Sequence, residues 1–493
     1  MVICIVELTR SIGLWQIPDD ILAGLPLVPA SLLKSGNIPV LLATPNFAPW
    51  IDPASLFLEQ YVNQLLEHAP DIRSIGSFYA IAAIVDKLPD IRGQSGTEPV
   101  RNDGQASSDS EGLSLLFVKA EDVHGKAAAP RRIRSSGTEE PALVFSVDAM
   151  SSNGPHIAAQ RPVHEVGLRL ANTVFVNGNE KTLFGMRWNL DVDLNRFTLN
   201  RYVDLSDCII KSTAGTVHNA FEFPLYPVGQ RRRVISGMGN ILRQLAKSTD
   251  ENDQSNTPIP ASLELEKEIP RYIEEHDIED PLVSVWALVE TPEIAVSTGS
   301  DDLQTRLSHS LRTGGKLRHV MSGGGGWGKK QGLLSLDPEV SFSDAATRKD
   351  FQALDQLFEP REDFMPGLPP FLTQEITGDD LSDLDQAAKP GDYVQFFVSV
   401  KPGSDENACS NQIVSDGSIS YQFGVVSHAN TPDVQTIDGH QKDLVVIPNY
   451  FGALSEKAIA YLQPVTNTQV NEQQQETGTK LDVPGCRVKL AVV

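Results

Sequence analysis

The residues best placed to do chemistry lie at 322–332, SGGGGWGKKQG, where Gly323, Gly328 and Lys329 fit the first seven places of the phosphate-loop pattern G-x-x-x-x-G-K-[ST]. In such a loop backbone N–H groups wrap the phosphates, the lysine reaches the outer oxygens, a hydroxyl holds Mg²⁺ and a long helix follows. Here Lys330 stands where the hydroxyl belongs, and QGLLSLDPEV puts Gly332 and Pro338 where the helix would run. The hydrophobic run that ends in an acid, VSVWALVE with Glu290, precedes the loop instead of following it. These departures argue against metal-assisted nucleotide hydrolysis. What survives is a metal-free anion cradle made of Gly323, Gly324, Gly325, Gly326, Gly328, Lys329 and Lys330, because successive glycine N–H groups beside two cations form an anion-binding concavity. The competing expectation is a packing turn, in which the glycines let the loop pass close to a sheet and Trp327 is its buried anchor.

A second basic group, Arg231, Arg232, Arg233 and Arg243, surrounds Gly237 and Gly239. Joined by Lys316, Arg318, Lys329 and Lys330, it would make one basic face on which Trp327 stacks a base, as single-stranded RNA sites often do. The opposing expectation is a solvated charge run that answers the acidic stretch 337–392. Leu242 and Arg243 occupy the neighbourhood of the third glycine of a dinucleotide fingerprint. His319, alternating with Leu317, is placed as a general acid/base or as an ordinary strand histidine. The histidines show no H-E-x-x-H spacing, DVDLNRF lacks the glycine and terminal glutamate of a calcium loop and reads as a turn, and no nucleophile elbow is present. No catalytic residue, metal site or cofactor is assigned from these patterns.

The elements that must position these groups fall into five stretches. Residues 1–89 read as an α/β segment with an amphipathic helix in SLFLEQYVNQLLEH, and 90–111 as a disordered linker or loop almost devoid of large apolar side chains. Residues 112–335 read as a central domain, β-rich at first, with a hairpin at VFVNGNEKTLFGM around Asn177-Gly178. Helices are then expected at QRRRVISGMGNILRQLAKS, at SLELEKEIPRYIEEH despite Pro270, and at DLQTRLSHSLRTGG. VSVWALVE is a strand buried on both faces, and KLRHVMS is the strand from which the glycine loop leaves. Residues 336–392 read as an acidic helix, ATRKDFQALDQLFE, and a Pro/Asp-rich connector; 393–493 read as β-rich. The expected fold class is therefore α+β, multi-segment, with largely antiparallel sheets and a central βαβ-like unit ending in a Gly-rich loop.

A formal net charge of -23 repels nucleic acid and anionic membranes at long range, so any phosphate partner needs a local basic patch. Cys4, Cys208, Cys409 and Cys486 have no disulfide-framework or metal spacing, which points to an intracellular, reducing compartment, the cytosol or alternatively the mitochondrion. Glu7 and Arg10 interrupt the apolar opening MVICIVELTR, which therefore reads neither as a signal peptide nor as an integral membrane span. The expectation is a non-catalytic binding or scaffold protein that offers a basic, glycine-rich loop to a phosphate-bearing partner, RNA or a phosphorylated ligand, with protein partners besides. The alternative is an enzyme that binds a nucleotide or phosphorylated substrate through Lys329, with His319 or Glu290 at hand.

Overall fold

The structure is a computed structural model that describes residues 3–8, 22, 36–67, 76–88, 111–128, 142–149, 163–179, 181–214, 223, 225–248, 257–276, 278, 283–297, 303–323, 332–338, 351–359, 386–398, 419–422, 444–448, 450–455, 457–464, 476–483 and 486–491. Strands β1 (Ile3–Leu8) and β2 (Asn37–Ala43) precede helix α1 (Leu56–Leu65), which buries Leu58, Tyr61, Val62 and Leu65 as the spacing predicts, but buries Phe57 and exposes Leu56 where that spacing puts Leu56 inside. Then come β3 (Ser77–Ile84), β4 (Glu111–Lys119), β5 (Val123–Ala127), β6 (Ala142–Ala149), β7 (Val163–Arg169), the short helix α2 (Val174–Asn177), β8 (Leu183–Asp191) and β9 (Arg196–Ala214). The central region adds β10 (Tyr226–Met238), β11 (Ile241–Ala246), β12 (Pro258–Pro260), α3 (Ser262–Glu275), β13 (Val285–Glu290), α4 (Pro292–Ser297), α5 (Leu303–Thr313), β14 (Lys316–Gly323) and β15 (Leu334–Leu336). The chain continues with β16 (Gln352–Ala353), β17 (Tyr393–Val398), β18 (Ile419–Gln422), β19 (Leu444–Pro448), β20 (Tyr450–Leu454), β21 (Ile459–Pro464), β22 (Glu476–Leu481) and β23 (Arg487–Ala491).

The largest sheet runs β19-β1-β4-β2-β3-β8-β9-β6-β7-β21-β22, with β5 added on β9 and β16 on β5. Its pairings are antiparallel except β2 with β3 and β6 with β9, so the sheet is mixed. Alternating residues supply two cores: Leu41, Ala82, Leu115 and Trp188 pack with α1 on one face, while Val40, Leu42, Ile81 and Leu116 belong to the core on the other.

The second sheet closes on itself. Its order β10-β17-β13-β14-β15-β11 returns to β10, which makes a six-stranded antiparallel barrel with β12 as a seventh strand on β11. Val285, Ala287 and Val289 of β13 face the barrel core with Val394, Phe396 and Val398 of β17. The intervening Trp286 and Leu288 join Phe397, Leu317 and the α5 residues Leu307 and Leu311 in the core shared with the large sheet. Both faces of β13 are thus buried, which is why its sequence is an unbroken apolar run. Helix α3 lays Leu265, Ile269 and Tyr272 against the barrel core. A third, three-stranded sheet is ordered β18-β23-β20.

The molecule is sheet-rich with few helices, and four local expectations are corrected. Strands β13 and β14 do flank helix α5, but they pair antiparallel, so there is no βαβ unit; antiparallel neighbours need no crossover helix. The stretch QRRRVISGMGNILRQLAKS is the β10–β11 hairpin, turned at Gly239 with φ +57°, and not a helix. Val174–Asn177 is helical and ends at the left-handed Gly178, in place of the expected hairpin. Within the expected acidic helix, Gln352–Ala353 is a strand and Gln356–Phe358 a 3-10 turn. Helix α3 keeps Pro270 inside it, and DVDLNRF is a turn in which Asp191 Oδ1 accepts from the backbone N–H groups of Asp193 and Leu194. The linker expected at 90–111 lies outside the described residues apart from Glu111, the first residue of β4. Among the described residues, no helix is long and apolar enough to cross a membrane.

Candidate functional site

The arginine group is divided by the strand that carries it. A register shift between Val228 and Arg232 against β17 marks a bulge in β10, with Gly229 at φ +72°. Arg231 donates to the Ala295 carbonyl at 3.0 Å, lies 3.5 Å from Glu290 Oε2 and sits 5.4 Å over the Tyr393 ring. Arg232 turns to α3 instead: its Nε donates to Glu264 Oε2 at 2.7 Å, and one terminal nitrogen donates to the carbonyls of Ala246 (3.3 Å) and Lys247 (2.5 Å). Arg233 is half-buried on β10 and Arg243 is exposed on β11. Arg318 is only 3% exposed and donates to the carbonyls of Asp337 and Pro338 at 2.9 and 3.1 Å. It is a buried strap between strand and loop, which corrects its expected place on a basic surface.

Gly323 closes β14 opposite Leu334, and a Cβ at that position would come within 2.1 Å of Leu334 Cδ2. A side chain here would have to displace the Leu334 methyl. Gly324, Gly325, Gly326, Trp327, Gly328, Lys329 and Lys330 lie outside the described residues. On the far side of the segment, Gly332 accepts a hydrogen bond at 3.2 Å from the Ser262 N–H at the start of α3.

His319 belongs to a polar seam between the barrel and the large sheet. Its imidazole stacks on Trp286 (centroids 5.1 Å, 23°), and Nδ1 lies 3.3 Å from Asp482 Oδ2, while Trp286 Nε1 donates to Asp482 Oδ1 at 3.0 Å. Burial pushes the Asp482 carboxyl up, but the hydrogen bonds from His319 and Trp286, aided by the charges of His319 and Lys480, outweigh it and hold the group below the ordinary carboxylate value. Nearby, Lys480 Nζ bonds Asp337 Oδ2 at 2.6 Å, and Thr479 Oγ1 accepts from Leu317 N–H at 2.9 Å. Glu290 is 1% exposed, and its Oε1 has no hydrogen-bond partner among the described residues. Arg306, which donates to Gln395, has its pKa lowered by burial, with Glu290 pulling the other way.

A groove of about 560 Å³ opens between the β10 bulge and α3. Glu264 forms its floor, accepting from Gln230 N–H at 3.1 Å as well as from Arg232. Gly229 has no room for a side chain here, since a Cβ would meet Glu264 Oε1 at 2.4 Å. On the wall the Tyr272 and His276 rings stack at 4.3 Å and 26°, and His276 Nδ1 is 2.9 Å from the Tyr272 carbonyl oxygen. Burial, then the neighbouring Tyr226, pushes the Tyr272 phenol up to about 12, so it stays protonated at neutral pH.

The charges along the groove balance: Arg232, Lys267 and Arg271 against Glu264, Glu268 and Glu275. Each carboxylate is engaged, Glu268 with Lys267 at 2.9 Å and Arg271 at 3.5 Å, and Glu275 with Arg271 at 2.6 Å. The hydrogen bond from Lys267 holds the Glu268 carboxyl below its ordinary value against the opposing effect of burial. Among the described residues, the second terminal nitrogen of Arg232, the Gln230 side-chain amide and His276 Nε2 have no partner.

None of the wall residues of α3 was singled out from sequence. The available signal was helical spacing: Glu264, Glu268, Tyr272 and His276 recur every four residues, flanked by Lys267, Arg271 and Glu275 at the same interval. Among the described residues no group of three or more His, Cys, Asp or Glu side chains could hold a metal ion. Cys208 and Cys486 are buried and unbridged, and burial, then Asp207, pushes the Cys208 thiol up to about 12. No protein-family model, curated protein or solved structure matches the chain.

Proposed function

We propose that the protein is a non-catalytic binding protein that holds a small phosphate-bearing ligand in the groove between β10 and α3. The observation that carries this reading is a set of spare donors: every groove carboxylate is engaged, while among the described residues Arg232 keeps a terminal nitrogen and Gln230 its side-chain amide without a partner. In a chain of net charge -23, a groove whose charges cancel is a place of weak repulsion for an anion, and charge-assisted donors then supply the attraction. A volume of about 560 Å³ suits a small molecule better than a polynucleotide, which tracks along an extended basic surface.

Calorimetric titration with inorganic phosphate tests the reading. Binding is expected, with about tenfold weakening in Lys267→Ala; no binding, or an unchanged constant in that variant, overturns the groove. Tight binding of a single-stranded RNA oligonucleotide with a steep salt dependence, in place of phosphate, would put RNA first. An enzyme remains the second reading because of His319: Asp482 engages Nδ1 and leaves Nε2 without a partner among the described residues, the arrangement of a general base. Turnover of a phosphorylated substrate that His319→Gln abolishes without changing affinity would favour that reading.

A further inference from the structure

We infer that the groove ligand carries a planar heteroaromatic ring beside its phosphate, as a nucleoside monophosphate does. This rests on the phosphate reading of the groove and adds a claim about the other half of the ligand. Three groups support it. Tyr272 is buried and its stacked partner His276 is half-buried, so the imidazole is the outer layer of a two-ring wall. The bond between His276 Nδ1 and the Tyr272 carbonyl fixes that imidazole, so a second ring can lie on it without first ordering it. Tyr226 lines the same groove, and the Gln230 amide provides both a donor and an acceptor, the pair that reads the edge of a base.

Arg232 and Lys267 are cationic and sit apart from the imidazole along the groove lining: Lys267 precedes His276 by more than two helical turns of α3. A ligand that satisfies both ends must have a ring and an anion on one scaffold. A bare phosphate would leave the aromatic wall unused, and a bare ring would leave the spare terminal nitrogen of Arg232 unused.

The test is isothermal titration of the full chain with four probes: inorganic phosphate, ribose 5-phosphate, adenosine 5′-monophosphate and adenosine. Stacking one base on an aromatic side chain is worth roughly five- to hundredfold in affinity, so the monophosphate is expected to bind at least about fivefold tighter than ribose 5-phosphate. His276→Ala should shrink that gap to less than about threefold and leave phosphate affinity unchanged. Proton NMR of the unmodified protein gives an independent readout, in which the His276 ring signals should shift with adenosine 5′-monophosphate and stay put with inorganic phosphate. Equal affinities for ribose 5-phosphate and the monophosphate, or His276 signals that do not move, overturn the ring while phosphate binding stands. Adenosine binding as tightly as its monophosphate upholds the ring and overturns the phosphate reading. If no probe binds, both are overturned.

Discussion

The seam between barrel and large sheet and the groove between barrel and α3 are built from the same kinds of residue, a buried carboxylate, cations and aromatic rings. They differ in how completely those groups use one another. In the seam Asp482 is engaged by both Trp286 and His319, Asp337 by Lys480, and Arg318 by two carbonyls. In the groove the carboxylates are engaged but the donors are not exhausted. Among the described residues the seam network is closed but for His319 Nε2 and fixes two elements against each other, whereas the more open groove keeps several interactions for a partner.

The contrast can be attacked first where the groove resembles the seam. Arg232→Met should lower unfolding free energy in denaturant by about 3–5 kcal/mol, because it leaves the buried Glu264 without its cation; a near-neutral result would mean that the groove floor is not an ion-pair network at all. Asp482→Ala should cost about 2–3 kcal/mol by stranding Trp286 Nε1 and His319 while leaving phosphate binding within twofold of the parent. Coupled loss of binding would show that seam and groove are one unit.

Acid gives a finer separation. The Asp482 carboxyl is held below its ordinary value, so its contribution to stability is complete above the unfolded-state value, about 3.9, and fades as pH falls through the lower folded-state value. Trp286 fluorescence should report that loss, and Asp482→Asn should remove the step from the titration. Smallest of all, Lys267→Ala should change stability by no more than about 0.5 kcal/mol, since its side chain is exposed and its ion pair with Glu268 is screened by solvent. A Tm drop of several degrees in that variant would place Lys267 in the structural network instead.

Much of the strand content was legible in the sequence, and the reason is visible at β13, where VSVWALVE is apolar throughout because one face lines the barrel and the other the large sheet. The hairpin β10–β11 was misread because Val234, Ile235, Ile241, Leu242 and Leu245 mimic helical spacing over a short window; the left-handed Gly239 was the deciding residue. The antiparallel pairing of β13 with β14 was hidden because a helix between two strands looks alike whether the strands end up parallel or not. The groove was illegible for a different reason: Glu264 meets Gly229 and Arg232 only once β10 bulges and α3 folds back on it. At Gly323 the near neighbour is the Leu334 side chain, in line with the packing alternative for that one glycine, while Arg318 reads as a surface cation and is buried.

The ring of six strands also sets an order of events during synthesis. Strands β10, β11, β13, β14 and β15 leave the ribosome well before β17, the strand that joins β10 to β13. Until residue 398 has emerged, the nascent chain holds an open sheet with two unpaired edges, the kind of surface that templates association between neighbouring chains. The barrel can become safe from its own edges only late in translation, so its weakest moment lies before the native structure exists.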